Sequence, residues 1–177
     1  MCPLPFSMEG KEYIFRKASA DEVQEVFSMV LGRMAWMDSR GIRQWNVTGY
    51  VERFPLDYYR QRQKEDSLYV LTTADGRIVC VGVLIEEDFR WGSDKAPALY
   101  LHNFASDSSE KGCGSVYLEE AEKLAFSMGK DYMRLDCARD NSFLNGYYSD
   151  RGYLMAGECV HGLYEGYLRQ KPLKLYY

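Results

Sequence analysis

The string Lys111-Gly112-Cys113-Gly114-Ser115 is the first place where residue types and spacing could do chemistry. It stands between an apolar run that reads as a strand and an amphipathic run that reads as a helix. Glycines there let the backbone approach a ligand closely, and the unpaired N–H groups opening the helix, aided by its dipole, point at whatever anion lies in front. A diphosphate fits that description, and on local sequence alone a plain tight turn fits it equally. Two nucleotide motifs can be tested and fail: no Gly-x-x-x-x-Gly-Lys-Ser/Thr string occurs, and Tyr117 stands where a dinucleotide fingerprint has its third glycine. Cys113 begins the helix, where the thiolate is favoured, so a cysteine nucleophile is a second chemistry to weigh. No Cys-His-Asn pattern accompanies it, and the chain has only 2 histidines.

These residues need a scaffold, and the chain reads as a mixed α/β one. A strand over residues 13–17 precedes the capping box Ser19-Ala20-Asp21-Glu22, which predicts a helix start. Val23, Val26, Phe27, Val30, Leu31 and Met34 then fall on one helical stripe that ends near Gly41. Residues 36–63 carry loosely periodic aromatics around Pro55 and predict a broken second helix. Residues 67–72 and 77–86 predict two strands around Asp75-Gly76, a dipeptide that supplies the positive φ of a tight turn. A strand over 96–105, a helix over 112–128 closed by Gly129, a strand over 132–137 and a short helix over 141–151 closed by Gly152 follow. Strands over 153–158 and 161–168 end the order, and the tail after Pro172 is expected to form an edge or to touch a partner. Consecutive strands from 67 to 105 without intervening helices exclude a doubly wound fold.

Length and composition agree with that scaffold. With 177 residues, 46% apolar, 27% charged and a net charge of −4, one domain over 1–177 with one core is expected. The longest apolar run, 78–85, is far below the roughly 20 residues of a membrane-spanning helix. Residues 1–8 lack the pattern of a secretory signal, which predicts a cytoplasmic protein. The 5 cysteines are odd in number and form no CxxC pair, so neither a disulfide framework nor a metal site is expected. Without a basic block, nucleic acid is not an expected partner. The aromatic share of 15%, with 15 tyrosines, suits an amphipathic pocket or an ordinary sheet alike.

The segment Asn141-Ser142-Phe143-Leu144-Asn145-Gly146-Tyr147-Tyr148, followed by Gly152-Tyr153, resembles the later motif of the GNAT superfamily of acetyl-CoA-dependent N-acetyltransferases. That motif runs as Asn, a short helix, Phe/Tyr-Tyr, three residues, then Gly-Phe/Tyr. Tyr100-Leu101-His102-Asn103-Phe104-Ala105 looks like the family's central strand, and Lys111-Gly112-Cys113-Gly114 like the core of its Arg/Gln-x-x-Gly-x-Gly/Ala pyrophosphate loop. Gly41-Ile42-Arg43-Gln44-Trp45 is similar to a segment after the first helix in some bacterial members. The resemblance covers about residues 13–168. Departures are Ser109 where the family has Arg or Gln, Glu110 where glycine is common, and a short link after Ala105 without the frequent proline. A carboxylate at 110 suits a diphosphate only if it turns outward, with Lys111 compensating in part.

The resemblance implies a mixed, mostly antiparallel sheet flanked by helices and splayed between the central strand and the strand over 132–137. It implies acetyl-CoA as co-substrate and direct attack by an amine on the thioester. Tyr148 matches the family's general acid for the departing sulfur; a thiol near 8.5 and a tyrosine near 10 make that transfer nearly balanced. Backbone N–H of Phe104 or Ala105 would hold the oxyanion, provided a bulge or splay frees it. Lys111, Gly112, Cys113, Gly114, Ser115 and Asn141 are the coenzyme-binding expectation. Glu86 and His102 are the candidates for taking the proton from the amine. Trp36, Trp45 and Trp91 either line the acceptor pocket or fill the core. A monomer or homodimer acting on a small molecule or peptide is expected; the rival is a non-catalytic acyl-CoA-binding or regulatory protein of the same fold.

Overall fold

A computed structural model describes residues 6–8 and 11–174. In chain order the elements are β1 (Phe6–Met8), β2 (Lys11–Lys17), α1 (Val23–Ser39), α2 (Tyr50–Arg53), α3 (Leu56–Lys64), β3 (Leu68–Thr73), β4 (Ile78–Ile85), β5 (Ala98–Ser106), α4 (Cys113–Ser127), β6 (Tyr132–Ala138), α5 (Ser142–Asp150), β7 (Leu154–His161) and β8 (Tyr164–Pro172). They form one eight-stranded sheet in the order β1-β2-β3-β4-β5-β6-β8-β7. Among the described strands only β5 and β6 run parallel, because α4 carries the chain across between them.

Local signals explain most of this. Glu22 returns to the Ser19 amide at 2.8 Å and completes the capping box, here around a single 3-10 turn ahead of α1. Gly76, at φ 92°, makes the β3–β4 turn. Pro55 separates α2 from α3, so the broken helix is two short ones.

Four expectations need correction. The core has two buried layers rather than one. Leu99, Val116, Leu118 and Tyr153 lie in the layer under α4 and α5, whereas Val26, Tyr59, Val70 and Val81 lie in the layer under α1 to α3. A central sheet covered on both faces must have both, and β4 accordingly reads as a continuous apolar run. Leu31, assigned to the α1 stripe, is 39% exposed, since it falls at the margin of the arc set by Val23, Val26, Val30 and Met37. The closing hairpin turns at Gly162, φ 61°, a few residues later than expected, and β8 runs on to Pro172 between β6 and the edge strand β7. After Pro172, Leu173 donates its amide to Asp131 at 2.8 Å and Lys174 pairs with Asp131 at 2.6 Å, so this stretch packs on its own chain. Residues 175–177 and Cys2 lie outside the described residues. Cys80, Cys113, Cys137 and Cys159 are buried and free. No helix among the described residues is long and apolar enough to cross a membrane.

Candidate active site

The central strand β5 is interrupted on both sides. Against β4, Val81 faces Ala105 and Val83 faces His102, so Asn103 and Phe104 together oppose Gly82 alone. The extra residue makes a β-bulge, which breaks the ladder locally and leaves main-chain groups unpaired. Asn103 takes the left-handed conformation at φ 52°, which asparagine tolerates better than most residues. Its amide is then clamped from α2 and α3: Nδ2 donates to Tyr50 Oη at 2.5 Å and Oδ1 accepts from Tyr58 at 2.8 Å. The loosely periodic aromatics of that region thus hold the bulge in place.

On its other side β5 pairs with β6 only where Ala98, Leu99 and Tyr100 meet Tyr132, Met133 and Arg134. Arg134, 1% exposed, closes the paired end by donating to Tyr100 Oη at 3.0 Å and to Gln170 Oε1 at 3.0 Å. Beyond it the strands separate, as the splayed-sheet expectation requires.

Two cavities meet at that gap. The larger, ≈ 830 Å³, runs from the C-terminal half of α1 across the loop before α4 to Tyr147 and Tyr148. The smaller, ≈ 150 Å³, lies between Leu101 to Phe104 of β5 and Leu135 to Ala138 of β6. Trp45, Phe104, Leu144 and Tyr148 line both.

Phe104, Ala105, Lys111, Gly112, Cys113, Gly114, Ser115, Asn141 and Tyr148 all line the larger cavity. Gly112 caps α4 at φ 86°, and among the described residues the amides of Lys111 and Gly112 have no acceptor within the chain. The side chains differ in what they do. Cys113 is 2% exposed, and its thiol lies 3.6 Å from the Val79 carbonyl and 3.8 Å from that of Asp107. It is turned into the core and is not a cleft nucleophile. Ser115 Oγ accepts from Arg151 at 2.5 Å and lies 3.1 Å from Tyr147 Oη, bracing α4 against α5. Asn141 Oδ1 accepts from the Leu144 amide at 3.0 Å as the N-cap of α5.

Glu110 does not turn outward. Its carboxylate, 8% exposed, accepts from Lys11 at 2.6 Å, Tyr13 at 2.8 Å and Arg77 at 2.7 Å. The Lys11 bond first, then those of Tyr13 and Arg77, hold its carboxyl down to about 2, although burial works the other way. Arg77 also reaches Asp107 at 2.8 Å, and Ser109 bonds Asp107 through its amide at 2.8 Å and its hydroxyl at 2.7 Å. The acidic loop is therefore neutralised and braced by the chain itself. Arg33, Arg43 and Lys111 line the same cavity with no acid partner among the described residues. Arg33 is half-buried and stacked on Trp36 at 4.1 Å, and burial works against its charge.

Tyr148 is 6% exposed, yet its hydroxyl has no hydrogen-bond partner among the described residues and faces the junction of the two cavities. Burial pushes its phenol well above the ordinary tyrosine value, with smaller contributions from Cys137, Tyr147 and Asp136. It therefore keeps its proton across the neutral range. Asn145 and Arg169, which sequence reasoning missed, fasten its helix. Asn145 donates to the Ala138 carbonyl at 3.0 Å and accepts from Arg169 at 2.8 Å, and Arg169 also reaches the Tyr153 carbonyl at 3.1 Å. An arginine within β8 and an asparagine within the α5 motif were the available signal.

Of the two base candidates, only His102 comes near. Glu86 lines neither cavity; it pairs with Lys130 at 2.5 Å, because the end of β4 points it away from the gap. His102 lines the smaller cavity, but Arg90 reaches its Nδ1 at 2.6 Å and Asp88 lies 3.3 Å from its Nε2. Both ring nitrogens are committed. Burial raises the Asp88 carboxyl, but His102 and Arg90 outweigh it and leave the group well below the carboxylate range. Arg90 continues to Asp136 at 2.7 Å. Asp136, Arg53, His161 and Tyr164 line this cavity and were also missed. The polar side of the alternating β6 pattern was the legible hint for Asp136. Trp36 lines the larger cavity and Trp45 both, whereas Trp91 stacks on Arg134 at 4.1 Å and lines neither.

A central strand bulged on one side and parted from its parallel neighbour on the other, beneath an amide-rich helix start, is the arrangement of the GNAT acetyltransferases. The chain has that fold. A GNAT-family acetyltransferase from Listeria monocytogenes 4b F2365 matches it with a TM-score of 0.80 at 22% identity, over 96% of this chain and 99% of that one. PaiA N-acetyltransferase from Thermoplasma acidophilum, solved in complex with coenzyme A, matches with a TM-score of 0.71 at 16% identity, over 90% and 98%. In sequence the chain is similar to the uncharacterized N-acetyltransferase YesJ of Bacillus subtilis (strain 168), 22% identical over 155 residues that cover 80% of this chain and 82% of that protein. No family model matches the chain.

Proposed function

We propose that the protein is an N-acetyltransferase that moves the acetyl group of acetyl-CoA directly to a primary amine. One observation carries this reading: a single passage leads from unpaired amides at Lys111 and Gly112 to the unpartnered hydroxyl of Tyr148, and a second cavity opens beyond that hydroxyl. The complex of PaiA N-acetyltransferase with coenzyme A, on the same fold, supports the coenzyme side.

The residues divide the work as their chemistry allows. The Lys111 and Gly112 amides, backed by the α4 dipole, bind the diphosphate, and Arg33, Arg43 and Lys111 supply positive charge around it. The bulge at Asn103 and Phe104 offers main-chain N–H to the charge that grows on the thioester oxygen. The reaction forms an N–C bond and breaks the C–S bond. Tyr148 gives its proton to the departing sulfur. Arg90 and Asp88 hold both ring nitrogens of His102, which argues against it as the base.

Calorimetric titration with coenzyme A and acetyl-CoA, paired with thiol release over a broad amine panel, tests the reading. Binding together with release is expected. Absence of binding at millimolar coenzyme overturns it, and binding without release from any amine converts it to a carrier or regulatory role.

A further inference from the structure

The charges around the smaller cavity define an acceptor class, an inference that rests on the transferase reading above. We propose that the acceptor is a small aminocarboxylate, with its carboxylate bound by Arg53 and its amine by Asp136.

Size sets the first limit. A cavity of ≈ 150 Å³ accommodates a molecule of amino-acid dimensions.

Charge sets the second. Arg90 lies between two carboxylates, Asp88 at 2.9 Å and Asp136 at 2.7 Å, so one negative charge is in surplus beside the cavity. Asp136 lines the cavity and is close enough to bear on Tyr148. An amine held there stands beside the group that protonates the leaving sulfur.

Arg53 supplies the opposite pole. It lines the cavity from α2, and its described partners are the ring Nδ1 and the backbone carbonyl of His161 and the face of Phe54. No carboxylate among the described residues forms an ion pair with it. A half-buried guanidinium in that state is a ready bidentate partner for a carboxylate. A polyamine would set a second positive charge against Arg53, and an amine without an anionic group would leave the guanidinium uncompensated under the bound ligand. The surplus carboxylate draws the ammonium into the site, and burial favours its loss of a proton before attack.

The step balances. The ammonium nitrogen of the acceptor gains the acetyl carbon and loses two protons. One reaches the coenzyme sulfur by way of Tyr148 and the other leaves to solvent, as the C–S bond breaks.

The test measures thiol release with acetyl-CoA and four amine sets: α-amino acids, ω-amino acids, the same α-amino acids with amidated carboxyl groups, and polyamines. Turnover of at least one aminocarboxylate set is expected, with kcat/KM lowered 10-fold or more by amidation. Arg53→Gln is expected to raise KM for the aminocarboxylate about 10-fold and erase its advantage over the amide, with the coenzyme Kd unchanged as the check on folding. Turnover confined to polyamines or amidated amines overturns the proposal, as does an Arg53→Gln enzyme that still prefers the free carboxylate. Silence with every amine is a different result and overturns the transferase reading itself.

Discussion

The Asn103 side-chain carbonyl accepts a 2.8 Å hydrogen bond from Tyr58, 45 positions away, and ties the bulge of the central strand to α3. With the second clamp from Tyr50, that bond holds a left-handed residue in the middle of a sheet. Asn103→Ala removes both bonds and adds the roughly 1–2 kcal/mol that a side chain without local hydrogen bonding pays in this conformation. Asn103→Gly loses the bonds but keeps the backbone. The glycine variant is expected to melt above the alanine variant, and both to turn over more slowly than wild type. Equal melting temperatures for wild type and Asn103→Ala would show that the bulge needs no clamp.

Tyr148→Phe separates chemistry from packing. The hydroxyl bonds to nothing in the described chain, so its loss is expected to leave stability and coenzyme affinity unchanged. Turnover is expected to fall by roughly 10²–10⁴-fold, the range for one general acid. Steady-state thiol release beside calorimetry makes the comparison, and unchanged turnover removes Tyr148 from the mechanism.

Arg33→Ala is expected to weaken coenzyme A binding by roughly 10- to 100-fold, the worth of one charge-assisted hydrogen bond. Arg33→Lys retains the charge without the fork and is expected to fall between. The gap between wild type and Arg33→Ala narrows as salt is raised, because the lost term is electrostatic. Calorimetry at two ionic strengths reads this directly, and equal affinities would take α1 out of coenzyme binding.

Glu110 gives a pH signature. Its carboxyl lies near about 2 in the folded chain, against about 4.3 when unfolded. A depressed folded value adds stability that is complete above the unfolded value and is lost as pH falls through the folded one. The melting advantage of wild type over Glu110→Gln is therefore expected to be full at neutral pH, to shrink below about pH 4.3, and to vanish near pH 2. Glu22, bound by Arg16 and also held to about 2, titrates in the same window, so the difference between the two proteins is the quantity to follow. An advantage that does not vary over this range would mean that the Lys11, Tyr13 and Arg77 contacts do not form in solution.

Elements whose cause is local could be read without coordinates. The α1 capping box, the Asp75-Gly76 turn, the α4 start at Gly112 and the motif from Asn141 to Gly152 each rest on residues a few positions apart, and the strand-rich order narrowed the architecture. The turn over residues 111–115 ahead of α4 and the place of Tyr148 on α5 were legible for the same reason, since their geometry is set by one turn and one short helix. What the side chains of that loop do was not. Glu110 finds its partners on β2 and at the start of β4, and Cys113 finds the Val79 carbonyl, through contacts between segments distant in sequence.

The linear chain settled where a strand hands over to a helix, because capping groups, glycine φ angles and apolar periodicity act within a turn or two. Only the tertiary structure decided which charges face the gap between β5 and β6. Arg90, Asp136, Arg53 and His161 come from four separate segments, and only Asp136, on the polar side of β6, carries a local hint. Their roles depend on distance and desolvation, and both exist only once the two strands have parted around a buried Arg134.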